Sequence, residues 1–529
     1  MAAVGARTSR GRDAVVATGA GIVVLLASLV NFLDHNEYPL LRPEIGLVVL
    51  LLVAVAVAVG LVYATLPELG RSLLEAVLVF LALDLNFGGI VAIVGTAAIA
   101  LVLKRRMVPF LGIAAGVVLV TGLAGFGSSS GSTQASQARP APTGSSAPVL
   151  VHIIFDEHIG VEGMLRDGAD VLAMREELKS FYLRNGFRLF GGAYSQYLHT
   201  INSIPQILNL GVQQPRSAFS QRGSDLTINA YFDALSALEY RIHVSQTDFL
   251  NFCENASVVS CRTRRAADAH DLVDAAIPAG EKSRLLVNEM IKLSHLVTGA
   301  VASYDLIGFG ARYLGLPVPL HRLNIHRMPT AIGALESMDR LTEELRHAQP
   351  GNAYFMHELL PHYPYVVDGE CRLKETSQWY NRRAGDVVKE RREAGYFDQL
   401  SCLLTKLDTL LQALASSPAG ANAIVVLHGD HGSRITDIDA RAETESGFDD
   451  SDLVTGYATH FAVRAPGIEP GYEPRRMPAA KLLEAIVRSD FHSTEVSLPP
   501  GFVHSVMLEN SELEPVREHP LPAWWVGAE

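Results

Sequence analysis

None of the four cysteines stands at CxxC spacing from another, so a structural zinc cluster does not organise this chain. All four, Cys253, Cys261, Cys371 and Cys402, lie beyond residue 126, the usage expected of a part that sits in an oxidising compartment. Four cysteines allow three pairings, and proximity puts Cys253 with Cys261 and Cys371 with Cys402 first. Basic blocks are missing from the same part. Residues 1–126 hold eight Lys or Arg against seven Asp or Glu, so the acid excess behind the formal charge of −12 falls on the remainder. An acidic surface without basic runs argues against a nucleic-acid partner.

Charge is absent altogether from Ile45 to Leu66, a run long enough to cross a hydrocarbon core as helix, which takes about 20 residues. Further apolar runs occupy Ala14 to Leu33, Ser72 to Phe87, Gly88 to Leu103 and Val108 to Phe126. The first reads as an anchor rather than a cleaved signal peptide, because more spans follow it. Arg7, Arg10 and Arg12 precede the first run and Lys104, Arg105 and Arg106 follow the fourth. The positive-inside rule places both clusters in the cytoplasm, which requires an even number of crossings between them. The third and fourth runs are therefore two spans, not one tilted helix, and the fifth delivers the rest of the chain to the outside. The expected organisation is a five-helix membrane domain (1–126), a flexible Ser/Gly/Pro-rich tether (127–148) and an external domain (149–529). The protein is then a multi-pass inner-membrane protein with its larger part extracytoplasmic.

From Val149 onward, apolar strand-like runs alternate with helical patterns, the mark of an α/β fold with a mainly parallel sheet flanked by helices. Expected strands are Val149 to Phe155, Phe187 to Ala193, Arg241 to Ser245, Ala353 to Leu359, Ile424 to His428 and Phe461 to Arg464. Leu400, Leu403, Leu404, Leu407, Leu411 and Leu414 recur three or four apart and mark a core helix. The apolar stretch Leu285 to Leu316 reads as a pair of buried core helices, with a helix lying against the bilayer as the alternative. There is no internal repeat.

Three places carry chemistry. The run VVLHGDHGS ends an apolar strand at glycine and presents Asp430 and His431, a carboxylate and an imidazole suited to zinc or manganese. In VLVHIIFDEHIG, Asp156, Glu157 and His158 stand at another strand end, where burial requires a charged partner and a metal ion supplies one. In HTINSIP, Thr200 precedes an apolar helical run. A hydroxyl there meets free N–H groups and the positive end of the helix dipole, which favour a bound phosphate. Each place also has a plainer reading, as a cap, a solvent-facing acid or a loop residue, and Pro205 fits the first turn of a helix.

Taken in order, a strand ending in acid, Thr200 in the pattern TxxSxP, His362 in LLPHYPY and GDHG after a late strand resemble the membrane-anchored alkaline phosphatase and sulfatase-like superfamily. The chain looks most like its phosphoethanolamine transferases and lipoteichoic acid synthases. The resemblance implies Glu157, Thr200, Asp430 and His431 as metal ligands, with Asp156 replacing Glu157 if the strand register differs by one. It implies Thr200 as nucleophile and His362 as a contact to the transferred phosphate, with His357 second; His460 reads as structural or supporting. One divalent ion is implied, zinc first, with manganese, magnesium or calcium as alternatives. Two departures qualify the resemblance. The formylglycine signature CxPxR is absent, which argues against sulfate-ester hydrolysis by that route. Ser433, Arg434 and Ile435 follow His431 where the transferases often carry more acids or histidines, which argues against a second metal.

The expected function is transfer of a phospho-substituent from a lipid or envelope phosphodiester to an acceptor through a covalent phospho-threonine. Tethering to the membrane raises the effective concentration of a lipid or envelope glycan substrate. The alternatives are a hydrolase of the same superfamily and an inactive envelope binding or assembly module. A transporter is weaker still, since no span carries a convincing buried charge apart from Asp84 near a helix break. Oligomeric state is left open.

Overall fold

The computed structural model describes residues 2–68, 70–71, 74, 112–113, 115–117, 119–121, 123, 146–165, 168–212, 225–264, 269–293, 330–379, 389–436 and 438–525. The chain forms two compact units, Met1–Ser132 with Ala269–Asn324, and Thr133–Asp268 with Ile325–Glu529. The second segment of the first unit departs from the expected linear division at residues 126 and 149.

In the first unit, Arg12–His35 and Pro43–Thr65 are helices long and apolar enough to cross a membrane; they contain the first expected span and all but the last residue, Leu66, of the second. Pro43 at the first helical position and Glu44 in the first turn start the second of them. Among the described residues there are two such helices, not five; the other three expected spans lie wholly or largely outside them. The start of the Leu285 to Leu316 stretch belongs to the helix Ala279–Leu293, which packs on Pro43–Thr65. It is therefore no core helix of the α/β unit, as had been expected. Leu285 and Leu286 are buried, and polar groups nearby are met locally. Lys282 Nζ donates to Val273 O at 2.8 Å, and Arg42 pairs with Asp274 at 2.9 Å. Residues 294–316 lie outside the described residues.

Among the described residues the second unit has twelve strands: β1 (Leu150–Phe155), β2 (Arg188–Phe190), β3 (Ala193–Tyr194), β4 (Arg241–Thr247), β5 (Val258–Arg264), β6 (Asn352–Glu358), β7 (Ile424–Gly429), β8 (Phe461–Arg464), β9 (Gly471–Glu473), β10 (Met477–Pro478), β11 (Ser505–Glu509) and β12 (Pro515–Pro520). Eight of them form one sheet in the order β5-β4-β6-β1-β7-β8-β2-β9. Pairing is parallel from β5 through β7; β8 runs antiparallel to both β7 and β2. The expectation of a mainly parallel sheet in an α/β fold holds.

β1 is buried at every position, which is why it reads as a continuous apolar run and not an alternating one. On one face, Leu150, Ile154, Phe355, Val426 and Val463 pack with Ile204, Ile207, Phe232, Leu483 and Ile486 from three helices. The expected strand Phe187 to Ala193 is interrupted at Gly191 and Gly192, which separate β2 from β3. The leucine stripe lies in the helix Lys389–Ser416 and is buried throughout. β11 and β12 form a separate antiparallel hairpin that the sequence pattern did not announce. Both disulfides pair as expected, Cys253 with Cys261 and Cys371 with Cys402.

Candidate metal centre

The register of the two central strands sets the centre. Phe155 of β1 lies opposite Gly429 of β7, so Asp156 and Asp430 leave adjacent strand ends together. Asp430 N–H donates to Phe155 O at 3.2 Å, extending the pairing by one residue. Asp430 Oδ1 then accepts from the amides of Glu157 at 3.0 Å and His431 at 2.8 Å. Glu157 takes a φ of 64°, a left-handed backbone that non-glycine residues rarely adopt. Its carbonyl accepts from the Tyr396 hydroxyl at 2.6 Å, and that hydroxyl accepts from Ile159 N–H at 3.0 Å. A Cβ at Gly429 would overlap Thr459 Oγ1 and His158 O, and one at Gly432 would overlap Thr455 O, so both flanks of the Asp-His pair require glycine.

Two overlapping groups of metal-capable side chains result: Asp156, Asp430 and His431, and Asp156, Glu157 and His362. Within each group the ligand atoms lie within 4.8 Å of one another, and all five residues are buried. Asp156, the alternative-register residue, belongs to both groups, so Asp156 and Glu157 stand together and do not exclude each other. His431 Nδ1 donates to Gly432 O at 2.7 Å, which leaves the ring's lone pair on Nε2. That Nε2 lies 3.3 Å from Asp430 Oδ2 and 3.6 Å from Asp156 Oδ1. Three carboxylates and one imidazole with its tautomer set suit a divalent cation such as zinc or manganese.

Thr200 is the first residue of the helix Thr200–Leu208 and the cap position is His199, so the threonine hydroxyl is not spent on capping. Its Oγ1 stands 3.5 Å from His431 Nε2. Pro205 is inside the helix, not in its first turn as had been expected. Ser203 anchors the helix by donating to Asp430 O and meets Ser195 Oγ at 2.9 Å. Glu509, at the end of β11, holds the approach. Its Oε2 accepts from Leu198 N–H at 2.8 Å, His199 N–H at 3.0 Å and His199 Nδ1 at 3.0 Å, and Asn202 donates to Oε1.

His362 Nε2 lies 3.6 Å from Glu157 Oε1, in keeping with a place at the centre. Gln399 of the long helix fixes its loop, donating to Pro361 O at 3.1 Å and His362 O at 2.7 Å. His357 joins neither metal-capable group. It is buried beside Phe252, and burial pushes its pKa down to about 3. His460 stacks on His158 at 4.2 Å and packs on Tyr182, a structural position.

Arg434 is the main residue that the sequence reading passed over. Its Nη2 lies 3.2 Å from His431 Nε2 and donates to Leu198 O at 3.2 Å, while Nε faces Glu157 Oε1 at 3.6 Å. Its place three residues after His431 was the available signal, taken only as a departure. Glu509, His199 and Tyr396 were missed as well, and nothing local marks them.

Burial pushes the Asp430 carboxyl up to about 6, against the lowering effects of the Thr200 hydroxyl and the Glu157 and His431 amides. Burial, followed by the charge of Arg434, holds His431 well below the usual imidazole range. For Arg434, burial works against the charge, but Glu157, Asp156, Tyr363 and Asp430 outweigh it and raise the pKa further.

No family model matches the chain, and no curated protein matches it. Among solved structures, it is similar to the C-terminal periplasmic domain of EcEptC from Escherichia coli, with 11% identity, 72% of this chain and 94% of that chain covered and a TM-score of 0.39. The same domain in complex with Zn gives 11% identity, 67% and 85% coverage and a TM-score of 0.37. A putative sulfatase, yidJ from Bacteroides fragilis, gives 13% identity, 70% and 83% coverage and a TM-score of 0.37. At such scores these likenesses leave the assignment to the residues of the site.

Proposed function

We propose that the second unit transfers a phospho-substituent through Thr200, in a centre that holds one divalent cation by Asp156, Glu157, Asp430 and His431. Two groups that share Asp156, one with Asp430 and His431 and the other with Glu157 and His362, and the Thr200 hydroxyl 3.5 Å from His431 Nε2, carry this reading. Such a cation supplies two things when bound: a lower pKa for the threonine hydroxyl and compensation of charge on the phosphoryl oxygens. The chain does the rest. Glu509 and Ser203 fix the helix start that carries Thr200, so its Oγ1 is held toward the phosphorus of a phosphodiester. The Oγ1–P bond forms, the P–O bond to the donor alcohol breaks, and the threonine proton ends on the departing alcohol. An acceptor hydroxyl then takes the group, and its proton returns to Thr200. Water as acceptor makes the same site a phosphodiester hydrolase.

The apolar helices of the first unit favour a lipid or envelope donor met at an extracytoplasmic membrane face.

Mass spectrometry of Thr200 after incubation with membrane lipids tests the scheme, because the adduct mass names the transferred group. Full phosphodiester turnover by Thr200→Ala, with none by Asp430→Ala, would refute the covalent route. Absence of stoichiometric metal from the purified protein under non-chelating conditions would favour the inactive module.

A further inference from the structure

Resting on the reading above, we propose that Arg434 is the anion-binding residue of the centre: its guanidinium yields the Nε2 lone pair of His431 to the metal ion and takes the non-bridging oxygens of the phosphoryl group.

Charge balance is the first reason. Asp156, Glu157 and Asp430 bring three negative charges into a buried space, and one divalent cation leaves the centre with a net negative charge. A phosphodiester is itself an anion, so a centre in that state repels its substrate. Arg434 carries a permanent positive charge and brings the centre to neutrality. It stands where the sequence offers no further ligand for a second metal.

Geometry is the second reason. His431 Nδ1 is committed to Gly432 O, so Nε2 is the only lone pair the ring can offer a metal. Arg434 Nη2 now donates to that same atom at 3.2 Å. One lone pair cannot serve both, so metal binding frees one N–H of Nη2. The other N–H keeps its bond to Leu198 O, which holds the guanidinium beside the Thr200 helix. Nε, buried and 3.6 Å from Glu157 Oε1, makes no hydrogen bond among the described residues. A planar fork with a freed donor next to the nucleophile matches the paired oxygens of a phosphoryl group.

The two roles of Arg434 predict effects of opposite sign, which a merely structural brace does not produce. The test uses the full-length protein in detergent, with zinc affinity measured by chelator competition and inorganic phosphate affinity of the zinc-loaded protein measured by calorimetry. Arg434→Gln is expected to bind zinc several-fold more tightly and phosphate at least about 30-fold more weakly, in line with loss of a positioned charged donor. Arg434→Lys keeps the charge without the fork, so it is expected to fall between the two. If Arg434→Gln does not fold, Arg434→Lys carries the test, with at least a tenfold loss of phosphate affinity and zinc retained. Unchanged phosphate affinity in a zinc-loaded variant overturns the proposal and leaves the transferase reading standing. Loss of zinc from both variants also overturns it, by making Arg434 a support for the ligands. A wild-type protein that binds no zinc defeats the parent reading first.

Discussion

Asp430 Oδ1 accepts the Glu157 amide at 3.0 Å, and that bond fixes a residue whose backbone lies in the left-handed region, with φ at 64°. One carboxylate thus offers Oδ2 toward His431 and uses Oδ1 to hold the backbone of Glu157, its neighbour in the proposed centre. Under the proposed function, the strain at Glu157 is the cost of placing its carboxylate beside Asp156. Glycine relieves it and alanine does not, although both remove the carboxylate. Glu157→Gly is therefore expected to exceed Glu157→Ala in stability by about 1 kcal/mol, with both losing metal. Melting temperatures of the two variants, read beside metal content, check this; equal melting of the pair would mean that the turn relaxes freely.

Tyr396 secures the other side of the same turn. Its hydroxyl donates to Glu157 O and accepts from Ile159 N–H, two bonds that phenylalanine cannot replace. Tyr396→Phe is expected to cost about 1–3 kcal/mol through the unmet buried groups. Metal affinity should fall with it, because the Glu157 side chain loses its fixed origin. Amide exchange at Ile159 is the direct readout, and protection equal to wild type would contradict the account.

Glu509 ties the C-terminal hairpin to the start of the Thr200 helix across some three hundred residues of chain. Leu198 N–H, His199 N–H and His199 Nδ1 all point at one carboxylate oxygen. In Glu509→Gln the amide must turn its NH2 away from those donors and can serve them only with a neutral oxygen. The expected loss is about 2 kcal/mol, since hydrogen bonds to a charged acceptor exceed neutral ones. Faster exchange at Leu198 and His199, with a lower turnover than wild type, would follow. A variant with unchanged exchange there would show that the hairpin is incidental to the site.

What the sequence revealed and what it hid have separate physical causes. β1 and β7 are buried on both faces, so their runs stop where the proposed ligands begin, and Asp156, Glu157, Asp430 and His431 were legible at those stops. Thr200 was legible because a helix start has local chemistry. Asp156 against Glu157 could not be decided, since the left-handed turn at Glu157 lets consecutive side chains reach one centre, and strand alternation forbids that. Glu509 and Tyr396 act by tertiary contact from a hairpin and a long helix, and no period of two or four residues records such a contact. The start of the stretch Leu285 to Leu316, read first as core helices of the external part, belongs to a helix of the first unit, because an apolar stripe does not name its partner.

A last expectation concerns acid. His152 and His357 face the same apolar core, with His152 edge-on to Tyr231 and Phe355 and His357 beside Phe252. Burial holds both rings neutral: His152 lies well below the usual range, with His428 lowering it further, and His357 is pushed down to about 3. In the unfolded chain each takes up a proton near pH 6.5. The unfolded state therefore binds more protons between about 6.5 and 3, so the stability that neutral rings contribute is present above pH 6.5 and is lost as pH falls below it. Each ring steepens the loss by up to about 1.4 kcal/mol per pH unit. Replacing both by phenylalanine, which keeps an aromatic ring in each place, is expected to flatten the slope by about twice that amount. Urea midpoints at pH 6.5, 5.5 and 5.0 measure it. A double variant as acid-sensitive as wild type would mean that the two rings already exchange protons with water inside the fold.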